Sequence, residues 1–138
     1  MTDPNAYQIG GNHYRSKIQH WDVMAKLRAN YFIGCTTKYI IRFEDKNGLE
    51  DIAKAIHFLN KADSVKMPGV ASWRLWLHRN MIDDWLASSI AHSHFYEDIV
   101  ITVNCTLIGD YQYALGAANE LLYSYSAATN PTHRYTYQ

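Results

Sequence analysis

The chain has 138 residues, of which 48% are hydrophobic and 19% charged, and its 13 Lys and Arg are balanced by 13 Asp and Glu. This composition indicates a folded soluble protein and excludes a disordered chain. The balanced charge also argues against a duplex-DNA-binding protein, since such proteins carry a strong basic excess. Nucleic acid is therefore not expected as a partner.

Charge is nevertheless uneven along the chain. Residues 1–66 carry 10 Lys and Arg against 7 Asp and Glu, whereas residues 67–138 carry 3 against 6, and every lysine precedes Met67. A small anionic ligand needs only a few cations, so the first half is the expected site of anion binding. The two cysteines, Cys35 and Cys105, are too few for a disulfide framework, and their spacing predicts no metal site.

The location expected from the sequence is the cytoplasm, without a membrane partner. The segment "MTDPNAYQIGGNHY" lacks the cationic and apolar regions of a signal peptide. No apolar run approaches the roughly 18 residues that a membrane-spanning helix requires.

The first half begins with an irregular arm, residues 1–12, which is punctuated by a proline and two glycines. "WDVMAKLRAN", 21–30, predicts a short helix with Asp22 in its first turn, where a negative charge suits the helix dipole. "FIGCTTKYIIRF", 32–43, predicts a second helix, although its β-branched residues leave a strand open as an alternative. The turn sequence "EDKNG" that follows favours the helix.

A third helix is predicted from Leu49 to about Ser64, because apolar residues recur there at spacings typical of one helix face. This apolar stripe consists of Leu49, Ile52, Ile56 and Leu59. The segment "KMPGVAS" then breaks the chain, at the point where the charge balance changes sign. It is the best candidate for a boundary between two regions.

The second half restarts at Ser72, a residue type that favours the helix N-cap. Apolar and aromatic residues follow at helical spacing: Trp73, Trp76, Leu77, Met81 and Trp85. Two antiparallel helices, 95–107 and 110–126, are predicted around a tight turn at Gly109. The tail from Ala127 is polar and rich in tyrosine, and it is expected to be loose.

These elements predict an all-α fold, a compact helical domain of about five to six helices that assembles as a homo-oligomer. The regions expected along the chain are a flexible N-terminal arm (1–12), a basic helical region (13–66), an aromatic-rich helical region (67–126) and a C-terminal tail (127–138).

The strongest candidate site is the pair Lys38 and Arg42, which lie four residues apart and therefore repel each other on one helix face by roughly a few tenths of a kcal/mol. Gly34 lies one turn earlier in the same column and leaves room for close approach. Lys38 offers a point charge and Arg42 a fork that matches phosphate oxygens. The alternative is that Gly34 serves helix packing and that both cations are solvated.

Two further groups are candidates with ordinary alternatives. Asp51 and Lys54 are spaced for an ion pair on the face opposite to the apolar stripe, and Phe58 on that face is suited to stacking on a base. The alternative is a surface ion pair of little energetic value. His13 and Tyr14 follow two glycines in "GGNHY", which predicts a mobile flap over a ligand or, alternatively, a floppy arm.

The remaining patterns favour structure over chemistry. The histidines of "HSH", 92–94, are interpreted as solvated, since no carboxylate or cysteine spacing supports a metal site. The tryptophan stripe is interpreted as core or subunit interface. No Rossmann fingerprint, P-loop, nucleophile elbow or triad signature occurs in the chain.

Taken together, "NHYR…IQHWDVM…YFIGCTTKYIIRFEDKNGLEDIAKAIHFLNKA" resembles a small tailed-phage family of largely unknown function, over about residues 10–63. One branch of that family, from T7-type phages, is described as a nucleoside monophosphate kinase lacking a Walker motif. The resemblance implies an all-α, oligomeric protein that handles nucleotides in the host bacterial cytoplasm.

The resemblance carries over to individual positions. The matching residues are His13, Tyr14, Trp21, Asp22, Gly34, Lys38, Tyr39, Arg42, Lys46, Asp51 and Lys54. Two departures stand out: the "FED" segment, 43–45, replaces the more usual small and basic residues, and residues 67–138 carry no resemblance.

The function expected from these residues is the binding of a phosphorylated nucleotide on the basic helix face, most simply to sequester a nucleotide signal of host defence, such as a cyclic nucleotide. The expected phosphate ligands are Lys38, Arg42, Lys46 and Lys54. The expected stacking or flap residues are His13, Tyr14, Trp21, Tyr39 and Phe58, supported by Gly34, Asp22 and Asp51. Binding of this kind requires no cofactor. Arg42→Ala is expected to weaken binding by about 1.5–3 kcal/mol and to leave the fold intact.

Two alternatives stay open. The first is a non-Walker nucleoside monophosphate kinase, which would hold Mg²⁺ through carboxylates. The carboxylates available for that purpose are Asp22, Glu44, Asp45, Glu50 and Asp51. The second is an inhibitor that grips a host protein through its aromatic half, in which case the face formed by Trp73, Trp76 and Trp85 should be exposed.

Overall fold

The computed structural model describes residues 18–129. Within that range the chain forms seven α-helices and no strand, which confirms the all-α prediction. The helices are α1 (His20–Leu27), α2 (Tyr31–Arg42), α3 (Leu49–Ser64), α4 (Ser72–Leu77), α5 (Arg79–Ile90), α6 (Tyr96–Ile108) and α7 (Tyr111–Thr129). None of these described helices is long and apolar enough to span a membrane.

Four helices form the centre of the fold. α2 packs along α3 and α6, and α7 packs along the same two helices. Their facing positions are filled by buried apolar side chains, among them Ile40, Ile52, Leu59, Val103 and Leu121. α1 lies beside this centre and contacts α2, α4 and α5. The second half of the chain therefore packs directly against the basic first half.

The turn between α6 and α7 confirms the prediction at Gly109. Gly109 has φ 83° and lies in the left-handed region that glycine favours. Its N–H donates to Thr106 O at 3.1 Å, and the N–H of Asp110 donates to Cys105 O at 3.0 Å, which is a Schellman ending for α6. Asp110 then caps α7 by accepting the N–H of Tyr113 at 3.1 Å. This short connection makes α6 and α7 antiparallel neighbours.

The buried face of α3 differs from the predicted apolar stripe. Leu49 is 38% exposed, whereas Asp51, expected on the opposite face, is completely buried. The physical reason is that α3 has two large neighbours, α2 and α7, so its buried face is wider than one stripe. The buried residues of α3 are Asp51, Ile52, Ala55, Leu59 and Ala62.

The tryptophan region also differs from its prediction. Ser72 is the first residue of α4 and follows Ala71, so it is not the N-cap. The helix breaks at His78, which separates α4 from α5 and raises the number of helices above the predicted five to six. Trp85 is buried in the core, whereas Trp73 is 57% and Trp76 80% exposed. The three tryptophans therefore do not form one exposed face.

The end of the described range shows one more difference. α7 continues to Thr129, so the loose tail expected from Ala127 does not begin there. The remainder of the predicted tail and the N-terminal arm lie outside the described residues.

An aromatic cluster anchors the connection between α2 and α3. Phe43 packs edge-on against Tyr125 with ring centroids 5.0 Å apart, and Phe95 lies 5.6 Å from the same tyrosine. Phe43 opens a short 3-10 turn, Phe43–Asp45, and is completely buried. Glu44 in this turn accepts a hydrogen bond from Ser93. The connection that carries Lys46 is therefore held in place by the second half of the chain.

Candidate functional site

Three of the four predicted phosphate ligands converge on the ring of Tyr39. Lys38 Nζ lies 5.7 Å from the ring centroid, Arg42 Cζ 4.7 Å and Lys54 Nζ 5.5 Å. Lys38 and Arg42 come from α2, and Lys54 comes from the facing side of α3. Each cation is within the range of attraction to an aromatic face, so one electron-rich ring holds three positive groups together.

Arg42 is bound to the buried carboxylate of Asp51. Its Nε lies 3.4 Å from Asp51 Oδ2, and its Nη2 donates to Oδ1 at 3.5 Å. The side chain of Arg42 is 21% exposed and that of Asp51 is 0% exposed. These contacts are long for a forked arginine–carboxylate pair, and the N–H of Nε makes no hydrogen bond to a described residue. Because this N–H is buried, a ligand would have to be bound through the terminal nitrogens of the guanidinium.

The predicted pairing of Asp51 with Lys54 is wrong. Asp51 turns inward, where it meets Arg42 and accepts the N–H of Asn47 at 3.2 Å. Lys54 instead lies 3.4 Å from Glu50, one turn earlier on the exposed side of α3. Because Arg42 carries the charge that neutralises Asp51, its loss is expected to destabilise the fold, and the expectation that the fold stays intact no longer holds.

An aromatic strip continues from Tyr39 along the groove between α2 and α3. Phe58 is stacked on Tyr39, with ring centroids 5.9 Å apart and planes 15° from parallel. Tyr31 meets the other end of Phe58 edge-on at 5.8 Å and is 70% exposed. Sequence reasoning missed Tyr31, although its place two helical turns before Tyr39 puts both on one face. We refer to Tyr31, Phe58 and Tyr39 as the aromatic strip.

A cavity of about 150 Å³ lies on the other side of the cations. One wall carries Lys38, Arg42 and Lys46, with Asp45 beside them. Lys46, the fourth predicted phosphate ligand, thus joins the first two here. The cations occupy the border between the cavity and the aromatic strip.

The opposite wall of the cavity is uncharged and mixes polar with apolar side chains. It is formed by Gln19, His20, Trp85, Ser88 and Ser89, from the start of α1 and from α5. Of these residues, the sequence analysis named only Trp85, as part of the core or of a subunit interface. Serine on an exposed helix face gives no signal by itself, and only the packing of α1 against α5 brings the two segments together.

His20 is held in its neutral form. Thr37 donates its hydroxyl proton to Ile33 O at 2.8 Å, so the same oxygen accepts from Nε2 of His20 at 2.8 Å. Burial and, to a smaller extent, the charge of Lys38 lower the pKa of His20 from 6.5 to about 4, against the opposing effect of a hydrogen bond to the Gly34 backbone. The imidazole therefore presents a neutral surface to the cavity at physiological pH.

The depressed pKa of His20 predicts a specific pH dependence of stability. The unfolded chain binds a proton at this residue near pH 6.5 and the folded chain only near pH 4, so stability is fully present above pH 6.5 and is lost between these values. The expected loss is about 2–3 kcal/mol. Urea unfolding of the wild type and of His20→Gln between pH 7.5 and 4 measures it.

Carboxylates titrate in both of these proteins, so the difference between the two stability profiles isolates His20. We expect the variant to lose less stability than the wild type on acidification. Parallel profiles would show that His20 is not kept neutral by the fold.

The other predicted site residues are less central. A Cβ placed on Gly34 would meet no described atom within 4 Å, so packing between described helices does not require this glycine. Trp21 and Asp22 are exposed on α1 and do not line the cavity. The flap residues His13 and Tyr14 lie outside the described residues.

The part of the chain that the structure describes contains no group of three or more His, Cys, Asp or Glu side chains that could hold a metal ion. His92 and His94 are exposed in the turn before α6, in agreement with their interpretation as solvated residues. The described site combines cations and the carboxylates of Asp45 and Asp51 with a neutral imidazole, hydroxyl groups and aromatic rings.

Comparison with known proteins gives a partial match. Residues 8–60 match the model of a protein family of unknown function, DUF3310. Searches of the curated proteins and of the solved structures returned no match. The matched span contains the cations and the aromatic strip but not α5, so the wall formed by Trp85, Ser88 and Ser89 lies outside it.

Proposed function

We propose that this chain binds a phosphorylated nucleotide, with the phosphate on Lys38 and Arg42 and the base on the aromatic strip. The observation that carries the proposal is the convergence of three cations on Tyr39, whose ring also stacks on Phe58. Cations bind phosphate oxygens, and aromatic rings stack on bases whatever their identity. A nucleotide presents both groups at the separation of a single ribose.

The two cations differ in what they contribute. Arg42 already faces Asp51 and acts as an oriented donor, whereas Lys38 is exposed and makes no ion pair with a described carboxylate. Lys38 therefore supplies the uncompensated positive charge of the site. A phosphate beside it would relieve the repulsion between two like charges on one helix face.

We favour sequestration over turnover. Phosphoryl transfer needs carboxylates that hold Mg²⁺ beside the phosphates, but Asp45 is the one carboxylate among the described cavity residues and Asp51 is turned inward. Binding alone needs only the cations and the rings. For a phage protein, which the resemblance implies, the corresponding role is the capture of a nucleotide signal of host defence, cyclic or linear. A kinase that recruits Mg²⁺ is the alternative.

A protein-binding role has one observation in its favour. Trp73 and Trp76 of α4 are 57% and 80% exposed, which is unusual for side chains of that size. They offer a contact for another copy of this chain, as a homo-oligomer would need, or for a host protein. This surface is separate from the cationic site, so variants in each distinguish the two roles.

Lys38→Met is expected to weaken nucleotide binding by about 10- to 100-fold, since a charged hydrogen bond contributes about 1.5–3 kcal/mol. The aliphatic part of the side chain is kept, so the fold is expected to be unaffected. Isothermal titration with mono-, di-, tri- and cyclic nucleotides of the four bases measures the change.

Lys26→Met is the matched control, because Lys26 is an exposed lysine of α1 that does not line the cavity. It removes the same charge from the same half of the chain. An affinity of Lys38→Met within twofold of the wild type would rule out the site as described.

A further inference from the structure

Lys38 and Arg42, which we call the cationic border, lie between two surfaces of different chemistry. On one side lies the aromatic strip, where Tyr31 is open to solvent. On the other side lies the cavity, whose far wall is uncharged. A terminal phosphate would need only one of these surfaces beyond the cations. Because the aromatic strip and the cavity flank the same cations, the site indicates a ligand that extends in both directions from its phosphate.

The charge of the site indicates how anionic that phosphate is. Lys38, Arg42, Lys46 and Lys54 contribute four positive charges. Carboxylates lie among these cations: Glu50 at Lys54, Asp51 at Arg42 and Asp45 in the cavity wall. They offset part of the positive charge, so a phosphodiester with one negative charge needs less compensation at this site than a triphosphate with about four.

The far wall of the cavity suits a sugar ring. Ser88 and Ser89 supply hydroxyl groups there, and the oxygen of Ser88, whose proton goes to Trp85 O at 3.1 Å, can still accept a hydrogen bond. The neutral imidazole of His20 lies beside them. A cavity of about 150 Å³ accommodates one six-membered ring. A few uncharged hydroxyl groups beside an apolar, ring-sized space suit a ribose, which has an apolar ring face and hydroxyl groups at its edge.

We propose that the ligand is a phosphodiester with a nucleoside on each side: one base lies on the aromatic strip, the phosphate bridges Lys38 and Arg42, and the second ribose enters the cavity against Ser88 and Ser89. This inference rests on the proposed function and adds to it the class of ligand. It also assigns a binding role to α5, which lies outside the span of the family match.

The test compares three probes that differ in one property at a time. Adenosine 5′-monophosphate has a terminal phosphate. 3′,5′-Cyclic AMP has a singly charged diester but no second nucleoside, whereas adenylyl-(3′→5′)-adenosine has the diester and a nucleoside on each side of it. The corresponding uracil set covers a different base. Titration of the wild type is expected to give at least tenfold tighter binding of the dinucleoside phosphate than of either mononucleotide.

Ser88→Leu fills the cavity from an exposed position of α5, and Ser88→Gln is a second filling variant that keeps a polar end. Both are expected to lower the affinity for the dinucleoside phosphate to that for cyclic AMP and to leave cyclic AMP binding unchanged. Ala87→Leu is the matched control, since Ala87 is the exposed neighbour that does not line the cavity. Helical circular dichroism and the melting temperature check that each variant is folded.

The possible outcomes separate the two proposals. Equal affinity of the wild type for all three probes, or an equal effect of Ser88→Leu on all of them, would overturn the two-sided site while nucleotide binding stands. A ten-residue oligoadenylate that binds more than tenfold tighter than the dinucleoside phosphate would show a nucleic-acid groove instead. If none of the probes binds the wild type, the proposed function fails and this inference fails with it.

Discussion

Arg42→Met is expected to lower the free energy of unfolding by about 3–5 kcal/mol, because it leaves Asp51 buried without its counter-charge. The side chain of Asp51 is 0% exposed, and apart from Arg42 its described partner is the Asn47 backbone N–H at 3.2 Å. One backbone donor does not replace a guanidinium, so the folded state must carry a buried charge or protonate it. The melting temperature should fall by about 10 °C or more.

Two comparisons make this expectation specific. Lys38→Met removes a neighbouring cation from the same helix face and should change stability by less than about 0.5 kcal/mol, as exposed sites do. The double variant Arg42→Met with Asp51→Leu should recover much of the loss, since an apolar pair often replaces a buried ion pair without penalty. A single variant Arg42→Met that melts with the wild type would show that the Arg42–Asp51 contact does not hold α2 against α3.

Gly109→Ala is expected to destabilise the fold by about 2–5 kcal/mol. The left-handed backbone at φ 83° costs a non-glycine residue about 1–2 kcal/mol. The added Cβ would also lie 2.7 Å from the backbone nitrogen of Gly69, a contact that backbone atoms cannot relieve by changing a rotamer, and overpacking of this kind costs roughly 1–3 kcal/mol.

This turn also supports the candidate site. The segment that passes Gly109 is held by a hydrogen bond from Val70 N–H to Leu107 O at 2.8 Å, and Pro68 O accepts from the side chain of Asn30 at 3.0 Å. Asn30 in turn caps α2 through the N–H of Ile33 at 3.0 Å. A displaced turn therefore loosens the start of the helix that carries Lys38.

Gly116→Ala is a control variant for which the opposite change in stability is expected. Gly116 lies within α7, and a Cβ there would meet no described atom within 4 Å. Alanine is the better helix former by about 0.5–1 kcal/mol, so this variant should be more stable than the wild type. Denaturant unfolding of both glycine variants gives the comparison, and equal effects at the two positions would contradict the close approach of Gly69 to Gly109.

Local patterns predicted the helices better than they predicted the site. The limits of α3 follow from its apolar spacing, and the turn at Gly109 follows from the need for a left-handed residue. The break at His78 has no proline or glycine to mark it, so the sequence predicts one helix where there are two. The burial of Asp51 is a tertiary effect, because only the packing of α2 on α3 brings Arg42 to it.

Only part of the candidate site could be predicted from the sequence, because the rest depends on how the helices pack. Lys38 and Arg42 are adjacent on one helix, so their spacing is enough to identify them. Lys54 and Phe58 reach Tyr39 from another helix, and their common face with Lys38 depends on how α2 and α3 pack. The wall formed by Ser88 and Ser89 comes from a distant segment of ordinary composition, which no local pattern marks.

The measurement that most directly tests nucleotide capture is a retention assay. The purified protein is incubated with a panel of mono-, di-, tri- and cyclic nucleotides, together with the dinucleoside phosphates and Mg²⁺, then separated from free ligand, denatured and analysed by chromatography. We expect intact ligand to be recovered only after denaturation from the wild type and from Lys26→Met, and in much smaller amount from Lys38→Met. New phosphorylated products in the free solution would indicate a kinase, and a wild-type protein that retains and converts nothing would contradict nucleotide binding.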